Sequence, residues 1–259
     1  MDLSKIKKIY MIGIKGVGMT MLAEFLAHHG YEVSGSDTGE TFMTDKVLEK
    51  NGITVYDGFA VEHLDVTFDL VIRSIAWNAS NNVEVAAAEN MNTPLLTYGE
   101  AVSEVFNTHY GIAVCGSHGK TTTSAWLGYV MDRSGLKPNV MSGAVVPQFG
   151  GAGLSGDSNL LVVEADEYQN KLQYLNPKMI VLNNIEYDHP DYFPTMEAYT
   201  KVFIDFISRL PKSGTLIINA DDKLLRTIAE KYCPAKVISY GATEQADYQF
   251  SSSRYQNGK

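Results

Sequence analysis

The chain has 259 residues, of which 45% are hydrophobic and 20% are charged, and its formal net charge is −9 at pH 7. This length is sufficient for two α/β domains with their own cores, and the composition excludes a disordered chain. The acidic balance argues against broad binding to nucleic acid or to anionic membranes.

The first part of the chain alternates short apolar runs with helical patterns. A strand at residues 8–12, a helix at about residues 19–29 and a strand at residues 31–37 form a predicted βαβ unit. Further elements of this part are strands at residues 54–56 and 69–74 and helices near residues 45–51, 83–90 and 99–106. The alternation indicates a parallel, doubly wound sheet, which we place in a Rossmann-like domain at residues 1–108.

A second α/β unit follows the polar joint at residues 107–109. Its predicted elements are strands at residues 112–115, 160–164, 179–184 and 215–219, a helix after residue 124 and a long helix at about residues 195–210. Residues 248–259 start like a strand and end in polar residues. We therefore expect a second domain at residues 109–259 that is truncated at its C-terminal end.

The stretch GSHGKTTT at residues 116–123 is the most informative part of the sequence. A glycine-cornered loop between a strand and a helix directs backbone N–H groups and the helix dipole at one point, which favours phosphate. Lys120 would add a positive charge for the β- and γ-phosphates, and Thr121 would supply a hydroxyl for Mg²⁺. Val114 stands where the strict P-loop pattern has its first glycine, and an ordinary glycine-rich turn is the alternative. We predict a site for a nucleoside triphosphate.

A weaker signal lies at the N-terminus, in GIKGVG at residues 13–18. The dinucleotide fingerprint is G-x-G-x-x-G, whereas this stretch reads G-x-x-G-x-G because Lys15 occupies the position of a glycine. Asp37 ends the second strand, where a ribose-binding acid would stand. A nicotinamide enzyme is possible from this segment alone, but it leaves the second domain and its phosphate loop unexplained.

Two further features bear on the location of the protein. No apolar span is long enough for a membrane helix, and residues 1–5 lead into a strand too soon for a signal peptide, so we expect a cytoplasmic protein. Cys115 and Cys233 form no metal or disulfide pattern. We expect Cys115 to pack in its strand and not to react.

Taken together, the motifs resemble the Mur ligases of peptidoglycan synthesis. The matching stretches, in chain order, are GIKGVGM (residues 13–19), SGSD (34–37), GSHGKTTT (116–123), EADE (164–167) and NIEYDH (184–189). The resemblance implies a first domain that binds the UDP of a sugar substrate, a central P-loop domain that binds ATP, and a third domain that is absent from this chain. It also accounts for Val114, because the family carries the shortened phosphate loop.

The resemblance further implies an ATP-dependent ligase reaction. The carboxylate of UDP-N-acetylmuramic acid attacks the γ-phosphate of ATP, and the amine of L-alanine attacks the resulting acyl phosphate, which gives an amide, ADP and phosphate. Such transfer needs positioning and charge neutralisation more than covalent help. Because the third domain is missing, we expect the chain to bind substrates and to form essentially no amide.

Site roles follow from the same resemblance. The residues expected at ATP are Gly116, Ser117, His118, Gly119, Lys120, Thr121, Thr122 and Asn184. The residues expected at the UDP-sugar are Gly13, Lys15, Gly16, Val17, Gly18, Asp37 and Ser74. Lys120, Glu164 and His189 are the expected catalytic residues, and Thr121, Glu164 and His189 the expected ligands of Mg²⁺ or Mn²⁺. Asp166 and Glu167 would ligate through water.

Each role has a structural alternative. Glu164 would otherwise be an exposed acid at a strand end, and His189 a turn residue before a proline. His118 either contacts phosphate or only shapes the loop. Lys15 lies either near the sugar diphosphate or in solvent, and Asp37 either contacts uridine or ribose or has no such role.

The absence of a lysine at one position of the long helix narrows the choice of branch within the family. Later Mur ligases carry a carbamylated lysine on the long helix, whereas Phe203 or Ile204 occupies that position here and Lys201 lies out of register. This pattern resembles the alanine-adding branch, which we favour, and the tripeptide ligase that recycles peptidoglycan. Two other classes remain open, namely a P-loop switch or transport ATPase and a non-catalytic UDP-sugar-binding protein.

Overall fold

A computed structural model describes residues 3–64 and 67–250. Its helices are α1 (Val17–His28), α2 (Asp45–Lys50), α3 (Val83–Ala88), α4 (Tyr98–Thr108), α5 (Lys120–Arg133), α6 (Met196–Ser208) and α7 (Lys223–Tyr232). The strands of the first sheet are β1 (Lys8–Ile12), β2 (Glu32–Asp37), β3 (Thr54–Asp57), β4 (Leu70–Arg73) and β5 (Leu95–Thr97). Those of the second are β6 (Tyr110–Cys115), β7 (Asn139–Met141), β8 (Leu160–Glu164), β9 (Met179–Leu182), β10 (Thr215–Asn219), β11 (Lys236–Gly241) and β12 (Tyr248–Gln249).

Both sheets confirm the predicted α/β class. The five-stranded sheet has the order β3-β2-β1-β4-β5, with every neighbouring pair parallel. The seven-stranded sheet has the order β12-β11-β10-β9-β6-β8-β7. Strands β1, β4 and β6 are almost wholly buried, as parallel strands covered on both faces must be.

The contacts divide the chain into two compact units. One contains Met1–His109 with Ser124–Val162, and the other contains Tyr110–Thr123 with Val163–Lys259. This division passes through α5 and β8, so the expected boundary between residues 108 and 109 stays a prediction. Among the described residues, no helix is both long and apolar enough to cross a membrane.

The predicted helices and strands are present, with ends shifted by a few residues. Among the α-helices and strands of the described residues, the sequence does not predict β5, β7, α7 and β11. The first two are three residues long, which is too short to show a period. The strand expected at the end of the sequence corresponds to β12. The polar residues 251–259 that were expected to follow it lie outside the described residues, as do residues 1 and 2.

A buried carboxylate ties several segments of the first sheet together. Glu84, fully buried in the first turn of α3, accepts hydrogen bonds from the hydroxyl of Tyr10 at 3.1 Å and from the backbone N–H of Ala60 at 3.0 Å. Its side chain also lies 2.8 Å from Nδ1 of His63 and accepts from the hydroxyl of Ser36. A polar group at this depth is tolerated because it is so fully hydrogen-bonded.

Candidate active site

The residues expected at the UDP-sugar lie at one edge of the five-stranded sheet. Gly13 follows β1, Asp37 ends β2 and Ser74 follows β4. Because β2 and β3 lie on one side of β1 whereas β4 and β5 lie on the other, the strand order reverses between β1 and β4, which is where open α/β sheets bind ligands. Gly13 has φ +80°, and a Cβ there would stand 2.7 Å from the Trp77 ring and 2.9 Å from Cβ of Ser74. The turn after β1 therefore requires glycine.

The loop between β1 and α1 is held by Asp37, at the end of β2. Asp37 is 5% exposed, and its carboxylate accepts from the backbone N–H of Lys15 at 2.7 Å and of Thr38 at 2.8 Å. Gly16 precedes α1, which begins with Val17 and Gly18. The structure thus gives Asp37 a backbone-holding role, and its contact with uridine or ribose stays a prediction.

Lys15 does not occupy solvent, so that alternative is wrong. Its side chain is 7% exposed, and Nζ donates to the carbonyls of Thr38 and Glu40, both at 3.0 Å. Asp57 and Asp45 lie 3.6 and 3.8 Å away. A buried ammonium needs such partners, and these bind it to the segment after β2. A contact with the sugar diphosphate remains untested.

The phosphate loop connects β6 to α5, as predicted. Gly116 has φ +127°, and a Cβ there would approach the backbone oxygen of Asn184 to 2.8 Å, so the start of the loop admits only glycine. The Asn184 side chain accepts from the backbone N–H of His118 at 2.8 Å and donates to its carbonyl at 3.2 Å. His118 and Thr122 expose their side chains. Asn184 therefore shapes the loop backbone in this structure.

Lys120 is the first residue of α5, and its side chain folds back onto the phosphate loop. Nζ donates to the carbonyls of Gly116 at 2.7 Å and Ser117 at 3.3 Å, and it lies 3.0 Å from a carboxylate oxygen of Glu167. The Lys120 side chain is 15% exposed and that of Glu167 is fully buried. A lysine ammonium is thus fixed at the N-terminus of a helix, where the backbone dipoles also favour an anion.

The contact between Tyr199 and Glu167 is the part of this site that sequence reasoning missed, since Glu167 was expected only as a metal ligand through water. The Tyr199 hydroxyl donates to Glu167 at 3.0 Å and lies 2.8 Å from the Ser117 hydroxyl. Burial raises the pKa of Tyr199 well above its ordinary value, so the hydroxyl keeps its proton. Tyr199 has the spacing of a core residue on α6, and its sequence offers no signal for this polar contact.

A second pair of polar side chains, Thr121 and Glu164, lies at the end of β8. The hydroxyl of Thr121 donates to Glu164 at 3.0 Å, and Glu164 is partly buried. A hydroxyl from the phosphate loop and a carboxylate from a neighbouring strand end are the protein groups with which P-loop enzymes hold Mg²⁺. The alternative of Glu164 as an exposed acid is wrong.

His189 lies in a turn and also faces the acidic groups. It has φ +54°, a strained conformation for a residue with a side chain, of the kind that concentrates at functional sites. Its Nε2 is 3.7 Å from Glu167 and 3.9 Å from Asp188. One ligand atom each from Asp166, Glu167 and His189 fall within 4.8 Å of one another. The structure therefore groups His189 with Asp166 and Glu167, whereas Thr121 and Glu164 contact each other.

The remaining sequence expectations concern residues beside the site. Cys115 is 1% exposed, and burial raises the pKa of its thiol, which confirms that it packs. Phe203 is fully buried, and its ring centroid lies 5.3 Å from that of Tyr199. Lys201 is 70% exposed and forms an ion pair with Asp205 at 2.8 Å. Of the two residues expected at the position of the carbamylated lysine, Phe203 is buried in the core and Ile204 is partly buried, and which of them occupies that position stays a prediction.

Comparisons with known proteins agree along the chain. Residues 8–110 match the model of the Mur ligase family catalytic domain, and residues 114–259 match that of the Mur ligase middle domain. The UDP-N-acetylmuramate–L-alanine ligase of Borrelia garinii subsp. bavariensis is 38% identical over 257 residues, which cover 97% of this chain and 55% of the relative. That of Salinibacter ruber is 35% identical over 245 residues, with 95% and 51% covered. The chain spans about half the length of these curated relatives.

Solved structures give the same picture. The UDP-N-acetylmuramate:L-alanyl-gamma-D-glutamyl-meso-diaminopimelate ligase from Neisseria meningitides is 31% identical with a TM-score of 0.79, and the match covers 93% of this chain and 79% of that one. The UDP-N-acetylmuramate-alanine ligase from Thermotoga maritima has a TM-score of 0.74 at 23% identity, with 95% and 54% covered. The second likeness supports the fold alone.

Proposed function

The chain belongs to the Mur ligase family, and we propose that it carries the nucleotide-binding and UDP-sugar-binding parts of a ligase that joins L-alanine to UDP-N-acetylmuramic acid. The observation that carries the proposal is the convergence of Lys120, Thr121 and Glu164 on one phosphate loop. The alanine-adding relatives, at 35–39% identity, support the choice of substrate. A cytoplasmic location belongs to the same proposal.

In this proposal the phosphate loop receives ATP. The ammonium of Lys120 neutralises the β- and γ-phosphates, and the first N–H groups of α5 face the same phosphates. Asn184 holds the loop backbone at His118, so the loop pays little ordering entropy when the nucleotide binds.

The reaction proposed at this loop has two steps. A muramyl carboxylate oxygen forms a bond to the γ-phosphorus. The bond between the γ-phosphorus and the β-γ bridging oxygen breaks at the same time, and ADP leaves. The amine of L-alanine then forms a bond to the acyl carbon, phosphate leaves, and the amine loses a proton. Lys120 offsets the negative charge on the equatorial phosphate oxygens during the first step.

The donor groups fit a hard divalent cation. Thr121 and Glu164 offer a hydroxyl and a carboxylate within 3.0 Å of each other, and oxygen ligands of this kind suit Mg²⁺ and Mn²⁺. A cation held there supplies further positive charge to the phosphates. His189, with Asp166 and Glu167 beside it, offers an imidazole that suits Mn²⁺ better than Mg²⁺.

We expect Mn²⁺ to bind at Thr121, Glu164 and His189 only when nucleotide is present, because the nucleotide phosphates supply part of the coordination. Anomalous scattering from crystals soaked with Mn²⁺ and a non-hydrolysable ATP analogue measures this. A peak beside Asp166, Glu167 and His189 but away from Thr121 would remove Glu164 from the metal site. A strong peak without nucleotide would contradict the shared coordination.

The first sheet supplies the UDP-sugar site in this proposal. The residues that we assign to this site are Gly13, Lys15, Gly16, Val17, Gly18, Asp37 and Ser74. The backbone N–H groups of Gly13 and Lys15 already donate to Ser36 and Asp37. We therefore assign the diphosphate to the N–H groups of the first turn of α1, at the switch point. Because Lys15 is already bound to two carbonyls, the backbone carries more of this site than the lysine ammonium does.

Two other functions are distinguishable. The observation that supports a tripeptide-recycling ligase as the alternative is the 31% identity to the structure from Neisseria meningitides, of which the match covers 79%. A non-catalytic UDP-sugar-binding protein would keep the first sheet but has no use for Lys120, Thr121 and Glu164 together.

Titration calorimetry of the 259-residue chain with ATP and with UDP-N-acetylmuramic acid tests the proposal. We expect both ligands to bind, because the phosphate loop holds a fixed ammonium at the start of α5 and the five-stranded sheet has a switch point between β1 and β4. Binding of the UDP-sugar without ATP would favour the non-catalytic protein. Binding of ATP without the UDP-sugar would favour a P-loop ATPase, and turnover with the tripeptide in place of L-alanine would favour the recycling ligase.

A further inference from the structure

The buried network behind the phosphate loop joins its two ends through one side chain of α6. Ser117 lies near the start of the loop and Lys120 at its end, and Tyr199 is 82 residues from Ser117 and 32 from Glu167 in the sequence. Tyr199 and Glu167 are fully buried. Hydrogen bonds run from Ser117 to Tyr199, from Tyr199 to Glu167 and from Lys120 to Glu167.

The network has few hydrogens, which fixes the direction of the hydrogen bond between Tyr199 and Glu167. The Ser117 and Tyr199 hydroxyls carry one hydrogen each. The carboxylate of Glu167 is the strongest acceptor within reach of Tyr199, at 3.0 Å, so Tyr199 donates there. The Ser117 hydrogen is then left for the carbonyl of Glu186 at 2.7 Å or the oxygen of Tyr199 at 2.8 Å, and the Ser117 oxygen accepts from the Glu186 N–H at 2.8 Å.

We propose that Tyr199 is a positioning residue for the phosphate loop, acting on Lys120 through Glu167 and on the loop backbone through Ser117. This inference rests on the proposed nucleotide site. The hydroxyl of Tyr199 shares Glu167 with Lys120, so the carboxylate does not bind the ammonium alone. The oxygen of Tyr199 lies 2.8 Å from the Ser117 hydroxyl and offers it an acceptor besides the Glu186 carbonyl, and the Ser117 carbonyl accepts from Lys120 at 3.3 Å. The loop is therefore shaped before ATP arrives.

The ring of Tyr199 has a separate, structural role. Its centroid lies 5.2 Å from that of Phe193 and 5.3 Å from that of Phe203, both at steep angles. A phenylalanine at position 199 keeps these contacts and removes only the hydroxyl. Tyr199→Phe is thus a direct test of the polar role.

We expect Tyr199→Phe to weaken ATP binding about fivefold to tenfold in titration calorimetry, the size expected for losing one ordinary hydrogen bond, because the effect on ATP is indirect. Two causes act in the same direction, because Glu167 then competes harder for Lys120 and the loop must be ordered on binding. Tyr187→Phe is the matched control. Its hydroxyl donates to the carbonyl of Phe193 at 2.6 Å and its ring stands 6.3 Å from that of Tyr199, and we expect it to leave ATP affinity unchanged.

A double-mutant cycle with Lys120→Ala separates positioning from general destabilisation. In the Lys120→Ala background, we expect Tyr199→Phe to cause less than half of its effect on ATP affinity while shifting Tm by the same amount as in the wild type. An equal loss of affinity in both backgrounds, or a loss no larger than that of Tyr187→Phe, would overturn the positioning role. Absence of ATP binding to the wild-type chain would overturn the nucleotide site itself and the inference with it.

Discussion

Replacing Lys120 with alanine is expected to weaken ATP binding by about 2–3 kcal/mol, or roughly 30- to 150-fold in Kd. The ammonium is the one charge of the phosphate loop that is fixed by loop carbonyls and a buried carboxylate, so the variant loses a preorganised contact to phosphate. Titration calorimetry with ATP measures the change, and circular dichroism checks that the fold is retained.

The matched control for this variant is Lys201→Ala. Lys201 belongs to the same compact unit but is 70% exposed and paired with Asp205, so its removal should leave ATP affinity unchanged. Binding of UDP-N-acetylmuramic acid should be unaffected in both variants. Nearly unchanged ATP affinity in Lys120→Ala would contradict the nucleotide site.

Replacing Glu84 with alanine is expected to destabilise the fold by about 3–5 kcal/mol. Its side chain is the shared partner of Tyr10, Ser36, Ala60 and His63, and each buried polar group left without a partner costs roughly 1–3 kcal/mol before water enters. Thermal unfolding should show a fall in Tm of about 10 °C.

Glu89→Ala controls for the loss of a glutamate side chain on the same helix. Glu89 follows α3 directly and is exposed. The Tm of the Glu89→Ala variant should therefore differ from that of the wild type by about 1 °C or less. Glu84→Gln keeps an acceptor of similar size and should fall between the two. A Tm for Glu84→Ala equal to that of Glu89→Ala would show that the network contributes nothing to stability.

The sequence predicted what depends on local periods and motifs. The βαβ unit, the phosphate loop and the strand that ends in Glu164 all have a period or a spacing that single-sequence reasoning detects. Helix α7 also has such a signal, because Leu225, Ile228 and Ala229 are buried at helical spacing behind the capping Asp222, but it was not used.

Contacts between distant segments were beyond this reasoning. The period of α6 placed Tyr199 on the core side correctly, but a period cannot indicate that its hydroxyl reaches Glu167 and Ser117. The same limit applies to Lys15, whose burial depends on the path of residues 38–57. Polar side chains that serve two elements at once become visible only when the tertiary contacts are known.

The burial of Cys115 makes the strand before the phosphate loop chemically observable. Thiol reagents attack the thiolate, and Cys115 is 1% exposed with a raised pKa, so it is modified only when β6 opens. Burial also raises the pKa of the Cys233 thiol, but Cys233 is partly exposed, so we expect it to react without such an opening. A single alkylation time course therefore has a fast phase from Cys233 and a slow phase from Cys115. The rate of the slow phase measures local unfolding of β6 beside the proposed nucleotide site.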